Sequence, residues 1–448
     1  MDDSSCPAGA PTVDRASAAD LAFLAMDSGP IAEQTGVILR LADAAEVDLS
    51  EVRRLIGERI AAVPRLRQRL TAVPLGCGRP IWLDDAGFDI ANHVRAIRCR
   101  EPGDERALLD TAADLITSPL PRHVPLWSAV LVTELAGGET ALVVVLHHAL
   151  ADGVGGLGLL AHLVDRTPDS DSADVAFPLP RPAIRSLAAD AIRDKWRAVR
   201  RCGETVRWLR SSVTAAGGLR PSPAARCALL QPTGNRVRLD VVSVDHVVLR
   251  AAAHRHGATV NDALLVAISA ALRTTLLDRG ESLGSFVVAV PVSIRAADSP
   301  AFGNMVTPAL VTVPAVGDIA DRLHRVSRAT SSLEVTAPPL IALLGPIFRR
   351  FAAWGGYRWY MRRQRRLHSL VSYLRGPADQ ARFSGHPITA AIPVAVGAMG
   401  NVTIFFEALS YAGTLTITAI TDPDHFPAPE RLAAALRDEL QLVMSSAR

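Results

Sequence analysis

Cysteine is scarce in this chain, and its spacing argues against two chemistries. Cys6, Cys77, Cys99, Cys202 and Cys227 are an odd number, widely spaced, with no C-x-x-C pair. They suit a reducing compartment and neither a disulfide framework nor a thiolate zinc site. No H-E-x-x-H helix is present, and a nucleophilic serine is not expected. A large charge excess is also missing. Lys and Arg number 48 against 45 acids, a net charge of +3, so the total does not point to nucleic acid. The acidic start, MDDSSCPAG, reads as neither signal peptide nor anchor. One charge-free window, Phe383–Phe406, is broken by Pro387, Pro393, Gly397, Gly400 and Asn401. Two sheet strands with a turn fit it better than a membrane span. The expectation is a soluble, cytoplasmic protein.

What the chain has is bulk and one unusual stretch. At 448 residues, 49% hydrophobic and 21% charged, it is of ordinary globular composition and long enough for two or three domains. Ala141–Leu160 reads ALVVVLHHALADGVGGLGLL. The apolar run Ala141–Leu146 has the pattern of a strand buried on both faces. It empties into His147, His148 and Asp152-Gly153, and then into an apolar, Gly-rich segment that can open a helix. Imidazole is the side chain best suited to move protons near neutral pH.

Read in order, residues 1–17 form a flexible tail, and Ala18–Met26 a short helix. Ile31–Leu41 reads as a strand, and Ser50–Val63 as a helix capped by Ser50 and ended by Pro64. Arg79–Asp85 reads as an edge strand, Phe88–Arg98 as a strand, and Glu105–Ile116 as a helix. Leu126–Leu135 and Ala141–Leu146 read as a hairpin through Ala136-Gly137-Gly138. Asp, Ser and Pro then mark a linker, placed at 167–232 together with the basic helical stretch Ala183–Ser212. A similar programme restarts. Strands are expected at Arg236–Val242, Ser285–Ile294, Met305–Val313, Asn401–Ala408 and Ser410–Thr421, and helices at Val244–His256, Asn261–Leu277, Asp318–Leu333 and Ala428–Met444. Two α/β halves, 18–166 and 233–448, around a cleft are therefore expected.

His147 and His148 are adjacent in an extended chain, so their side chains leave opposite faces and cannot easily share a metal ion. What remains is one imidazole as general base in a cleft, with the other packed behind it. Two histidines at a strand end are as often structural as functional; Asp152-Gly153 at this spacing favours function.

The segment HHALADG, His147 to Gly153, is similar to the HHxxxDG motif of the CoA-dependent acyltransferase superfamily. Pro125-Leu126-Trp127, Thr259–Asp262, Val290–Arg295 and Gly303-Asn304 follow the order seen in bacterial wax ester synthase/diacylglycerol acyltransferases, and the resemblance spans nearly the whole chain. It implies two mixed-sheet, chloramphenicol-acetyltransferase-like halves with the active site in a tunnel between them. It also implies fatty acyl transfer from acyl-CoA, as substrate, to diacylglycerol or a long-chain alcohol, with no metal and no cofactor. His148 is then the general base, with His147 orienting it or purely structural. Asp152 becomes an organiser, expected to pair with Arg295 and tie the halves together, and Gly153 lets the backbone turn close to the site. Asn261 and Asp262 read as a helix cap or a substrate contact, and Trp127 as core or tunnel wall.

The chain departs from the family at Ser372–Pro377, where only Gly376-Pro377 of the usual segment is kept, and at Pro121 and Val124. Those departures keep open a carrier-protein-dependent condensation or tailoring enzyme, alongside a non-catalytic lipid-binding protein. Residues 349–366 carry seven arginines and no acid, interleaved with Phe351, Trp354, Tyr357, Trp359 and Tyr360. This composition suits an anionic membrane or lipid-droplet surface, or the phosphates of CoA.

Overall fold

The computed structural model describes residues 13–446 except 28, 30, 43, 45–46, 166–176, 294–305, 334–339, 398 and 427, and only 203, 207 and 210 between 201 and 222. The first part runs α1 (Ala18–Met26), β1 (Gln34–Leu41), α2 (Leu49–Arg59), β2 (Gln68–Thr71), β3 (Ile81–Asp84), β4 (Val94–Arg98), α3 (Glu105–Thr117), β5 (Trp127–Thr133), β6 (Thr140–His147), α4 (Gly153–Leu163) and α5 (Ile184–Arg200). The second runs β7 (Arg238–Asp245), α6 (His246–Arg255), α7 (Val260–Leu277), β8 (Ser285–Ser293), β9 (Val306–Pro314), α8 (Ile319–Ser331), α9 (Leu340–Ala353) and α10 (Gly356–Met361). It ends with β10 (Ser369–Arg375), β11 (Arg382–Phe383), β12 (His386–Val396), β13 (Ile404–Tyr411), β14 (Thr414–Thr421) and α11 (Pro429–Ser445).

Short polar side chains set the helix starts, as their composition dictates. Ser17 and Asp20 form a reciprocal capping box on α1, and Thr259 and Asp262 do the same on α7. The cap of α2 is Asp48, which accepts the Ser50 N–H at 3.1 Å; Ser50 is not the cap. Phe88–Arg98 is not one strand. Asp89 accepts the Ala91 N–H at 2.9 Å and coils residues 90–92 into a 3₁₀ turn before β4 begins.

Two six-stranded mixed sheets result, ordered β11-β12-β1-β6-β5-β4 and β7-β14-β13-β10-β8-β9. Their membership does not follow the chain. Strand β12 lies in the second half of the sequence yet pairs antiparallel with β1, from Gln34 opposite Val396 to Leu41 opposite Ile388. The window Phe383–Phe406 is strand-forming, as expected, but its two long strands lie in different sheets: β12 joins the first and β13 the second. A core between the sheets therefore mixes Ile38, Val143, Ile392 and Val394 with Leu239, Phe405 and Ile420.

Strand β6 is buried at every position. Val143 and Val145 enter that shared core on one face, while Val144 and Leu146 pack with α2 and α4 on the other. Among the described helices only α7 is long and apolar enough to cross a membrane, and it is the buried core helix of the second sheet.

Gly36 of β1 is required by close approach. A Cβ there would lie 2.4 Å from the Val144 carbonyl oxygen of β6. Gly36→Ala is expected to destabilise the fold by about 1–3 kcal/mol through overpacking, read from denaturant unfolding. A midpoint equal to wild type refutes this account of the β1–β6 contact.

Candidate active site

Because β6 is buried throughout, its polar residues gather where it ends. The His147 N–H donates to the Leu126 carbonyl at 3.0 Å, and the Leu150 N–H closes the turn on the His147 carbonyl at 2.9 Å. His147 occupies both ring nitrogens. Nε2 lies 3.1 Å from Asp27 Oδ2, and Nδ1 accepts the Ala149 N–H at 2.9 Å, which places the proton on Nε2. Arg122 donates to the same Asp27 oxygen at 2.7 Å. Burial works to raise the Asp27 carboxyl, but the hydrogen bonds from His147 and Arg122 outweigh it and hold the group below the usual carboxylate range. His147 is thus an anchor of the turn.

His148 is placed differently. Its backbone N–H donates to the Glu33 carbonyl at 2.9 Å, and its ring stacks on Phe23 of α1 with centroids 5.0 Å apart and planes at 16°. Burial, with a smaller contribution from neighbouring His147, lowers its pKa from 6.5 to about 4. The ring is therefore neutral at physiological pH, the protonation state a general base needs.

Asp152 caps α4 by accepting the Gly155 N–H at 2.8 Å. Arg295, its expected partner, lies outside the described residues, as do Gly303 and Asn304. Gly153 is needed for packing more than for turning: it opens α4, and a Cβ there would come within 3.0 Å of Leu374 Cδ1 on β10. That contact joins the turn to the second sheet.

Asp262 is structural, in the α7 capping box with a further 2.6 Å hydrogen bond from Thr330. Asn261 instead lines a cavity of about 390 Å³ together with Val154, Leu157, Tyr373, Leu374 and Arg375. Trp127 sits in the core of the first sheet. It is fully buried, donates its indole N–H to the Leu66 carbonyl at 2.7 Å and stacks on His93 at 4.6 Å. A second cavity, of about 440 Å³, is lined by Ile31, Arg358, Arg362 and Gly397 among others. One cavity begins at Val154, next to Gly153; the other reaches Ile31, two residues before Glu33.

Sequence reasoning missed several features. Gly280–Gly284 spells G-E-S-L-G, but Ser282 is exposed in a helix-to-strand turn between α7 and β8. A nucleophile elbow runs from strand to helix, so this is not one. Glu407 of β13 is buried opposite Ser372 and Thr418. By alternation it shares the face of Phe405 and Leu409, towards the first sheet. Burial, only partly offset by a hydrogen bond with Ser372, pushes its carboxyl up to about 7. No periodicity signals such a residue, and Phe23 carried no mark of its stack on His148.

Solved structures share this architecture. A wax ester synthase/diacylglycerol acyltransferase from Marinobacter aquaeolei VT8 superposes with a TM-score of 0.67 at 20% identity, over 97% of this chain and 99% of that one. The starter condensation domain of rhizomide synthetase, solved with C8-CoA and Leu-SNAC, gives 0.63 at 15% identity, over 97% and 94%. The fold class is thus the expected one, two-lobed and chloramphenicol-acetyltransferase-like. Family profiles narrow it, with the wax ester synthase/diacylglycerol acyltransferase catalytic domain matching residues 17–264 and the C-terminal domain of the same family matching 302–443. A Mycobacterium tuberculosis H37Rv protein named as a diacylglycerol O-acyltransferase is 29% identical over 88% of this chain and 87% of its own length. Another from that strain is 31% identical over 72% of each. The chain belongs to the wax ester synthase/diacylglycerol acyltransferase family, and it is an acyltransferase enzyme.

The low pKa of His148 carries a stability consequence with a definite sign. Unfolded, the ring takes up a proton below about 6.5; folded, it does so only near 4. Its contribution is intact above about pH 6.5 and is lost as the pH falls towards 4. His148→Gln is expected to remove about 2–3 kcal/mol of the wild-type stability loss between pH 7 and pH 4, by denaturant unfolding at each pH. Parallel stability curves for the two proteins contradict a buried neutral ring.

Proposed function

We propose that the enzyme moves a fatty acyl group from acyl-CoA to the hydroxyl of diacylglycerol or a long-chain alcohol, with His148 as general base. The observation that carries this reading is the neutral His148 ring, held on Phe23 and the Glu33 carbonyl at the end of β6. The ring takes the proton of the acceptor hydroxyl as its oxygen attacks the thioester carbonyl. The tetrahedral oxyanion collapses, the C–S bond breaks, and the imidazolium returns its proton to the departing CoA thiolate. An ester and CoA thiol result, with no acyl-enzyme and no metal or cofactor in the sequence of steps. His147 and Asp27 hold the turn, and Asp152 fixes the start of α4.

Lipid substrates also require access, and the proposal places it on α9, α10 and α5. Trp354 is 92% exposed, Ile347 72% and Trp359 58%, beside exposed Arg350, Arg358, Arg362 and Arg363. On α5, Ile192, Trp196 and Val199 are exposed as well. Arg79 links the two segments: it lies 3.6 Å from Asp194 of α5 and bears electrostatically on Arg349 of α9. Apolar side chains in a cationic field suit an anionic lipid surface. The proposed location is cytoplasmic, with peripheral contact at the inner face of the plasma membrane or on lipid droplets.

Thiol release from palmitoyl-CoA with hexadecanol, diacylglycerol or no acceptor tests the chemistry. Acceptor-dependent release is expected, reduced about 10²–10⁴-fold in His148→Ala, with kcat/KM flat from pH 7 to pH 5 and half-lost near pH 4. Release that survives in the variant removes His148 as the base. Absence of release with every lipid alcohol favours a carrier-protein-bound donor, a reading kept alive by the altered Ser372–Pro377 segment and the condensation-domain fold.

Vesicle sedimentation tests the surface. Wild type is expected to bind vesicles containing phosphatidylglycerol in preference to pure phosphatidylcholine. The Trp354→Ser/Trp359→Ser double variant is expected to bind them about tenfold more weakly. Equal binding by the two proteins rejects this face.

A further inference from the structure

The cavity beside Gly153 has a cationic rim that the chemistry above does not use. Arg375, the last residue of β10, lines it. Tyr373, another lining residue, bonds through its hydroxyl to His246 Nε2 of α6 at 3.1 Å. Burial first, then Arg250 and Arg375, push that imidazole below its ordinary value, with Asp245 opposing. Arg250, one turn along α6 from His246, and Arg375 of β10 thus lie near one ring, and among the described residues neither is in an ion pair within 4.0 Å. The inner wall is apolar, formed by Val154, Leu157 and Leu374, with Asn261 at its side. Leu374 is the residue that touches Gly153.

Gly376 fixes the position of Arg375. Its N–H donates to the Ser410 carbonyl at 2.8 Å, and a Cβ there would lie 2.5 Å from that oxygen. The end of β10 is thereby pinned to β13.

We infer that this cavity binds the phosphate-bearing end of acyl-CoA, with Arg375 and Arg250 on the diphosphate and the acyl-pantetheine arm running past Leu374 and Gly153 to His148. The assignment rests on the acyl-CoA reading and adds to it the mouth by which the donor enters. Guanidinium groups suit phosphate oxygens through charge-assisted, bidentate hydrogen bonds, and an apolar wall suits the arm. The other cavity also has arginines, Arg358 and Arg362, but Glu33 packs against its Gly397 and the aromatic face of α9 and α10 adjoins it. It suits the lipid acceptor better.

Calorimetric titration of the full-length protein with octanoyl-CoA and with phosphate-free octanoyl-pantetheine tests the assignment without turnover. Arg250→Ala/Arg375→Ala is expected to raise the Kd for octanoyl-CoA about tenfold or more and leave that for octanoyl-pantetheine unchanged. Arg362→Ala, at the other mouth, is expected to change neither. Unchanged octanoyl-CoA affinity in the double variant, an equal loss for both ligands, or a selective octanoyl-CoA loss in Arg362→Ala overturns the site. Because binding is read directly, a selective loss in a protein that transfers no acyl group supports the site while the acyltransferase reading fails.

Discussion

A strand buried on both faces can present polar groups only at its ends. Strand β6 is such a strand, and the site follows from that constraint. Its last residue, His147, spends both ring nitrogens on closing the turn, so the following ring is delivered in a fixed place. Burial of His148, with a smaller contribution from His147, disfavours the charged ring and keeps it neutral at physiological pH. The adjacent histidines thus differ: His147 is consumed in closing the turn, and His148 is presented as a neutral ring at its end.

The second constraint is strand exchange between the sheets. Strand β12 returns from the second part of the chain to pair with β1, and β1 in turn carries the residues facing β6. The turn that ends β6 is consequently held by both parts of the chain. Small residues allow the close contacts that this needs: Gly36 against Val144, Gly153 against Leu374, and Gly376 against Ser410. At Gly36 and Gly376 a Cβ would collide with a backbone carbonyl, and at Gly153 it would press tightly on the Leu374 side chain, which explains glycine there without any appeal to unusual backbone angles. The retained Gly376-Pro377, in a segment that otherwise departs from the family, holds the end of β10 against β13.

Local pattern made β6, the hairpin with β5, α1, α3 and α7 legible, because a buried valine run, a Gly-rich loop and capping side chains act within a few residues. The motif His147–Gly153 was legible for the same reason. What stayed hidden depends on contacts between distant segments. Nothing local distinguishes β12, which leaves for the other sheet, from β13, which does not. Phe23 is one apolar residue in an apolar helix until the fold brings it onto His148. Trp127 reads first as core, and its bond to Leu66 and its stack on His93 place it there. Asp48 replaced Ser50 as a cap because both are good caps two residues apart, and only the backbone angles choose between them.

A ring with a pKa near 4 is a weak base, and that limits where the rate can come from. An aliphatic hydroxyl is far less acidic than such an imidazolium, so proton transfer ahead of attack is strongly uphill. On the proposed mechanism, with His148 as the base, the proton must then move in concert with C–O bond formation, when the alcohol oxygen has already become acidic. Most of the acceleration then rests on holding hydroxyl, thioester and ring in line and on meeting the charge that develops on the carbonyl oxygen. A turn closed by backbone hydrogen bonds and an imidazole stacked on Phe23 would suit the first requirement. On the inner face of the second sheet lie Ser372, the Thr418 hydroxyl, which has no hydrogen-bond partner among the described residues, and Glu407, whose carboxyl burial pushes up to about 7, so that it is part-protonated near neutral pH. A neutral carboxyl can donate a hydrogen bond where a carboxylate cannot.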